Sequence, residues 1–159
     1  MPRSPYRWHF VLANLNEQFP LKNDYVDLVF ANQVIEHIAD PRFLSSEISR
    51  ILKQRGVVII ATPNIRYVKN LLRIVINGRG PRTAGDNQID GPWDDRHIHY
   101  FTHRDLREIF LKSGFSDVWS AGFVNLENGG LARRIADRYS AVKPVREFFS
   151  GNILLVERK

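Results

Sequence analysis

The sequence predicts an α/β fold built on a parallel sheet. Two apolar runs, residues 25–31, interrupted only by Asp27, and 57–61, have the composition of strands covered on both faces, and between them lies an amphipathic stretch long enough for a helix. A strand-helix-strand order of this kind is a right-handed crossover between parallel neighbours. The 159 residues, 43% hydrophobic and 11% aromatic, suffice for one compact domain with its own core.

Taken in order, residues 9–13 (His-Phe-Val-Leu-Ala) are short, apolar and β-prone and read as a first strand, followed by the polar stretch 14–18 and Phe19-Pro20. Asn23-Asp24 is turn-like, and residues 25–31 form the second strand. Asp40 can accept from the free amides of a helix start, and Pro41 suits the first helical position, where its missing N–H costs nothing. Phe43, Leu44, Ile48, Ile51 and Leu52 then fall on one stripe, and Gly56 suits a left-handed residue just past the helix end. Residues 57–61 make a third strand, stopped by Pro63.

Tyr67, Val68, Leu71, Leu72, Val75 and Ile76 repeat at helical spacing, giving a helix to about Asn77 ended by Gly78. Residues 78–95, with four glycines and two prolines, show no period and read as a long lid-like loop. Thr102 and Asp105 have capping-box spacing ahead of the apolar face Leu106, Ile109 and Phe110, and Gly114 ends that helix. Residues 115–120 read as a fourth strand, 131–149 as mostly helical with a break or kink at Pro144, and 152–157 as a final strand. No repeat or second domain is evident, so residues 1–159 read as a single domain with a helix and loop inserted at 65–100.

Composition closes some chemistry. With no cysteine there is no disulfide, no thiolate metal site and no cysteine nucleophile. No apolar run reaches transmembrane length and the N-terminus lacks a signal-peptide core, so the expected location is cytoplasmic. The net charge of +6 suits anionic partners, and much of it lies in the local run Arg66, Lys69, Arg73, Arg79 and Arg82. That run reads as a solvated helix face rather than a nucleic-acid surface, since no nucleic-acid motif accompanies it.

Several short elements stand in a fixed order: Asn14-Leu15, Phe19-Pro20, Tyr25-Val26-Asp27-Leu28-Val29, Ile35-Glu36-His37, Asp40-Pro41, Leu52-Lys53-Gln54-Arg55-Gly56, Pro63-Asn64, and His99-Tyr100-Phe101-Thr102 with Leu106 and Gly114-Phe115. Their collinearity over residues 10–120 resembles the second half of class I S-adenosylmethionine-dependent methyltransferases, the broad family that includes ubiquinone and menaquinone methylating enzymes. The resemblance implies a partial Rossmann-like, doubly wound, mostly parallel sheet of the seven-stranded methyltransferase type, with one antiparallel strand and with the first two strands missing. Ligands of such sheets lie beyond the carboxyl ends of the strands. The glycine-rich turn after the first strand and the acidic end of the second have no counterpart in this sequence, so the expected domain is N-terminally truncated and its methyl-donor pocket incomplete.

By the same resemblance, Asn14 stands where an Asp usually meets the adenine amine, Leu15 lies beside the ring, and Asn32, Gln33 and Val34 line the methionine end of S-adenosylmethionine. His37, Asn64 and His99 fall on the acceptor side and are the catalytic candidates. Transfer of an already activated methyl group is an in-line displacement governed by positioning, and a neutral histidine helps only if the acceptor must lose a proton. Two readings of Asn14 stay open, cofactor contact or turn residue, and two of His37, catalysis or satisfaction of loop amides before the helix. Asp94, Asp95, His97 and His99 offer metal-binding donors, but no metal is assigned because a histidine near Phe101-Thr102 already belongs to the family pattern. Residues 78–82 are not a phosphate loop, since no strand precedes them and no helix follows. The implied function is methyl transfer to a small-molecule acceptor, anionic or sugar-linked. The alternatives are a non-enzymatic assembly partner pairing through the open sheet edge and a basic nucleic-acid-binding module.

Overall fold

The structure, a computed structural model, describes residues 9–81, 97–123, 138 and 142–159. Its elements are β1 (Val26–Asn32), a 3-10 turn (Ile35–His37), α1 (Pro41–Ile51), β2 (Leu52–Pro63), α2 (Val68–Asn77), α3 (His103–Lys112), β3 (Asp117–Phe123), α4 (Lys143–Phe148) and β4 (Asn152–Arg158). The four strands form one sheet in the order β1-β2-β4-β3. β1 pairs parallel with β2, while β4 runs antiparallel to both β2 and β3. Two reversals restore direction, so β1, β2 and β3 point the same way and β4 is the single antiparallel strand. The expected mostly parallel sheet with one reversed member is what forms.

Local chemistry sets the helix ends. Asp40 Oδ1 accepts from the amides of Arg42 (2.9 Å) and Phe43 (3.3 Å), and Pro41 occupies the first turn. The Thr102–Asp105 capping box is present in both directions. α2 ends at Gly78, whose φ of 61° is left-handed, as its spacing implied. One expectation shifts: α1 stops at Ile51, and Gly56 lies within β2. Leu52 pairs with Val26 but Val57 with Leu28, so residues 53–56 bulge out of the ladder, and Arg55 takes the positive φ of 66°. Gly56 is needed for close approach, since a Cβ there would lie 2.8 Å from the Lys53 carbonyl oxygen and 2.9 Å from Leu52.

Alternation along the strands builds the core. Val58, Ile60 and Thr62 of β2 share a face with Ile153, Leu155 and Glu157 of β4, all buried. Leu44, Ile48 and Ile51 of α1 and Leu106 and Phe110 of α3 join the same core cluster. The other face is uncovered among the described residues: Leu28 is 55% exposed, Phe30 64% and Trp119 52%. Among the described residues β1 is therefore not sheathed on both sides as its nearly continuous apolar run suggested, because α1 and α3 lie on one side only. β1 also keeps an unpaired edge within this four-stranded sheet.

Other expectations need correction. Residues 9–13 form no strand; Phe10 and Leu12 are almost fully exposed, so nothing from that segment closes the β1 edge. β3 runs from Asp117 rather than Phe115, because Phe115 instead packs edge-to-face on Phe110 at 5.4 Å. Pro144 does not kink a helix; it lies in the first turn of α4, where a missing amide is harmless. Most of the helix expected over 131–149, and the loop from Arg82 to Asp95, lie outside the described residues.

The segment leading into β1 is held by one ion pair. Glu47 accepts from Arg50 Nε and Nη2 (both 2.8 Å) and from the Phe19 amide (2.8 Å). The Arg50 hydrogen bonds, with help from Phe19 and against the cost of burial, hold the Glu47 carboxyl below its ordinary pKa. Arg50 also donates to the carbonyls of Phe19 and Leu21 and to Asn23. Arg50→Ala strands a largely buried carboxylate and frees this loop, so we expect a loss of about 3 kcal/mol in urea unfolding, with Arg50→Lys recovering less than half of it.

Candidate functional site

Asn32 to Val34 and His37 lie at or just beyond the carboxyl end of β1, and Asn64 just beyond that of β2. β1 ends in Asn32, and Gln33 turns the chain with a φ of 55°, a left-handed conformation uncommon for a residue with a side chain. The Gln33 amide donates to the Ala61 carbonyl (2.8 Å), and its side chain reaches Asn152 (3.4 Å). Asn32 and Gln33 are exposed, whereas Val34 is half-buried against the core.

The next three residues form the 3-10 turn, which buries Glu36 and leaves His37 exposed. Glu36 Oε2 accepts from the Thr62 hydroxyl (2.9 Å) at the end of β2. Its other oxygen, Oε1, is buried without a hydrogen-bond partner and lies 4.0 Å from His97 Nε2. The Glu36 carbonyl accepts from the amides of Ile98 (3.0 Å) and His99 (3.2 Å), pinning that segment alongside the turn. The His37 and His97 rings meet edge-on at 4.6 Å. His99 Nε2 faces the Ala39 carbonyl at 3.3 Å, which makes Nε2 the protonated nitrogen.

The Asn14 segment reaches the same place. Asn16 Oδ1 accepts from the Ala39 amide (2.8 Å), and Leu15 packs against the core. Asn14 itself closes a turn: its Oδ1 accepts from the Asn16 amide (3.1 Å) and side chain (3.4 Å), and its Nδ2 donates to Glu17 (2.7 Å). Asn14 thus holds this turn, with its amide oxygen accepting two hydrogen bonds from Asn16.

Asn64 stands apart. It is fully buried, its Nδ2 directed at the carbonyls of Glu147 (3.0 Å), Ser150 (3.0 Å) and Arg146 (3.3 Å), and its Oδ1 accepts from the Arg66 amide (3.0 Å). The side chain has no donor left for an acceptor molecule and instead fastens α4 to the end of β2. Arg66 reinforces this join through Glu147 (2.8 Å) and by lying over the Phe148 ring at 4.4 Å. His103, buried, donates from Nε2 to the Arg146 carbonyl (3.1 Å) and accepts at Nδ1 from Ser120, and burial pushes its pKa down.

The structure thus brings together Asn14–Leu15, His37 and His99 around Ala39, holds Asn32 to Val34 at the adjacent strand end, and sets Asn64 into packing. Of the basic run, Arg66 is committed to α4 and Arg73 donates to the Gly80 carbonyl (2.8 Å), so these residues are not a free solvated face. A hollow of 340 Å³ runs along α2, lined by Lys69, Asn70, Leu72, Arg73, Ile76 and Asn77, none of which the resemblance implicates. The residues missed from sequence are Glu36 as a buried carboxylate and its partner Thr62. The signal was a glutamate before a histidine at a strand end, with a threonine before proline at the next one.

A family model described as a methyltransferase domain matches residues 4–120, more than half of the sequence. The chain belongs to the methyltransferase domain family. Two curated Mycobacterium tuberculosis proteins, from strains CDC 1551 and H37Rv and both named "Probable S-adenosylmethionine-dependent methyltransferase", are 32% identical over 122 residues. That match covers 76% of this methyltransferase domain and 38% of each relative, so the chain spans well under half their length. Among solved structures, a SAM-dependent methyltransferase from Thermotoga maritima aligns with a TM-score of 0.63 at 16% identity, covering 94% of this chain and 64% of the other. The [4+2]-cyclase SpnF aligns with a TM-score of 0.54 at 18% identity, over 94% and 55%. At such identities the structural likeness shows the fold alone, and the cyclase illustrates that this fold also carries other chemistry. No helix among the described residues is long and apolar enough to cross a membrane.

S-adenosylmethionine is the cofactor this family implies, and the residues present fit it in part. Exposed Asn32 and Gln33, with a backbone turn of positive φ, suit a ligand at the strand end. The engaged amide of Asn14 does not offer the adenine contact, and the sequence holds no glycine-rich turn after a strand.

Proposed function

We propose that this chain supplies the acceptor-side half of an S-adenosylmethionine-dependent methyltransferase acting on a small or sugar-linked acceptor, and that the donor-side elements lie outside it. The observation that carries this reading is the strand arrangement β1-β2-β4-β3 with β4 alone reversed, in a chain of the methyltransferase domain family. The uncovered face of Leu28, Phe30 and Trp119 and the unpaired edge of β1 are where the remaining strands and helices would pack. S-adenosylmethionine brings an already activated methyl group, so the protein's task is to hold donor and acceptor in line. Asn32, Gln33 and Val34 border the donor, His37 and His99 line the acceptor side, and Asn64 serves packing.

Amide-resolved NMR tests this. Millimolar S-adenosylmethionine should shift the amides of residues 32–34 and of Leu15 and leave α3 and β3 unmoved; shifts scattered over the surface, or none, contradict it. A second reading, a non-catalytic assembly partner, is favoured by the same exposed face. It predicts no ligand-specific shift at residues 32–34.

A further inference from the structure

We infer that Glu36, His37 and His97 form a binding site for a first-row divalent cation of the zinc class. One donor atom from each lies within 4.8 Å of the others. Two imidazoles and one carboxylate are the donor set of three-ligand zinc and related sites, in which one coordination position stays open. Two ligands of a tetrahedral zinc ion, each at about 2.1 Å, sit about 3.4 Å apart, so small side-chain rotations close the set.

Proximity is not the whole case. Glu36 is 1% exposed, and its Oε1 is buried without a hydrogen-bond partner while facing His97 at 4.0 Å. A buried carboxylate oxygen left unpaired is costly, and a cation bound between it and the imidazoles removes that cost. The surroundings have the order of a supported metal site. The Thr62 hydroxyl fixes the carboxylate through Oε2, as outer-sphere partners orient ligands, and the Glu36 carbonyl holds the 97–99 segment by two backbone hydrogen bonds. His37 is exposed, so an ion there keeps its open side toward solvent at the carboxyl end of the sheet. An oxygen-bearing small ligand, such as a hydroxyl or carboxylate, can take that position. This set differs from the one the sequence suggested: among the described residues His97 joins Glu36 and His37, while His99 is directed at Ala39.

The test is calorimetric titration of the chain with Zn²⁺ alone, using a competing chelator, with circular dichroism confirming that each variant is folded. One ion per chain should bind with micromolar or tighter affinity. Glu36→Gln and His97→Ala should each weaken it by at least about tenfold, and Thr62→Val, which removes only the orienting hydroxyl, by about tenfold. His9→Ala, an exposed histidine outside the site, should leave it unchanged. Absence of one-to-one binding, or affinity that the folded Glu36→Gln and His97→Ala variants retain, overturns the inference. Either result is independent of S-adenosylmethionine, so it stands apart from the methyl-transfer reading.

Discussion

Replacing Glu157 with glutamine should raise the melting temperature at pH 8.5 by roughly 10 °C while changing it by no more than about 2 °C at pH 5. Glu157 lies on the buried face of β4, opposite Val58 of β2, at 1% exposure, with neither carboxyl oxygen hydrogen-bonded. Burial pushes its pKa up from the ordinary 4.5 to about 8, opposed in part by the charge of Arg107. The folded protein therefore holds a proton there that the unfolded chain releases above pH 4.5. Stability is complete below that value, falls as pH rises towards 8, and levels off beyond it. The loss by pH 7 is on the order of 3 kcal/mol. Glutamine keeps the shape without the titration, so urea unfolding of the variant should lack the fall in stability that the parent shows between pH 7 and 8, above the range in which buried His103 takes up its proton. A slope equal to that of the parent protein contradicts this account of Glu157.

Asn64→Asp should be the most damaging single-atom exchange near the site. The amide nitrogen directed at three carbonyl oxygens becomes a carboxylate oxygen, turning attraction into repulsion in a fully buried position. The expected cost is about 3–5 kcal/mol, with α4 loosened from the end of β2. In thermal unfolding this appears as a fall of roughly 10 °C or more. A variant melting within about 2 °C of the parent would mean that the side chain is not engaged as described, and would return Asn64 to the acceptor side.

Much of the frame was legible because the signals were local. Asp40-Pro41, Thr102 with Asp105, and Gly78 each act through their own hydrogen bonds or φ, and each does in the structure what its residue type implies. What failed depended on distant partners. The apolar run at 9–13 has strand composition, yet no neighbouring strand pairs with it. The run at 25–31 is apolar on both faces, but α1 and α3 cover only one. Gly56 has the spacing of a helix cap, whereas a bulge demanded by the register of β2 against β1 claims it. The site divided in the same way. Gln33 and His37 follow directly on β1, a position that local sequence sets, while the occupations of Asn14 and Asn64 rest on partners such as Asn16 and the α4 carbonyls that no spacing reveals. Glu36 was hidden for a similar reason, since its burial depends on Thr62 from a different strand.

On the proposed function, this chain carries the acceptor side of a methyltransferase domain without a complete donor pocket. Calorimetric titration of the chain alone with S-adenosylmethionine tests it most directly. The account predicts no saturable binding tighter than about 1 mM, equivalent to roughly 4 kcal/mol. One-to-one binding with a micromolar Kd would contradict it.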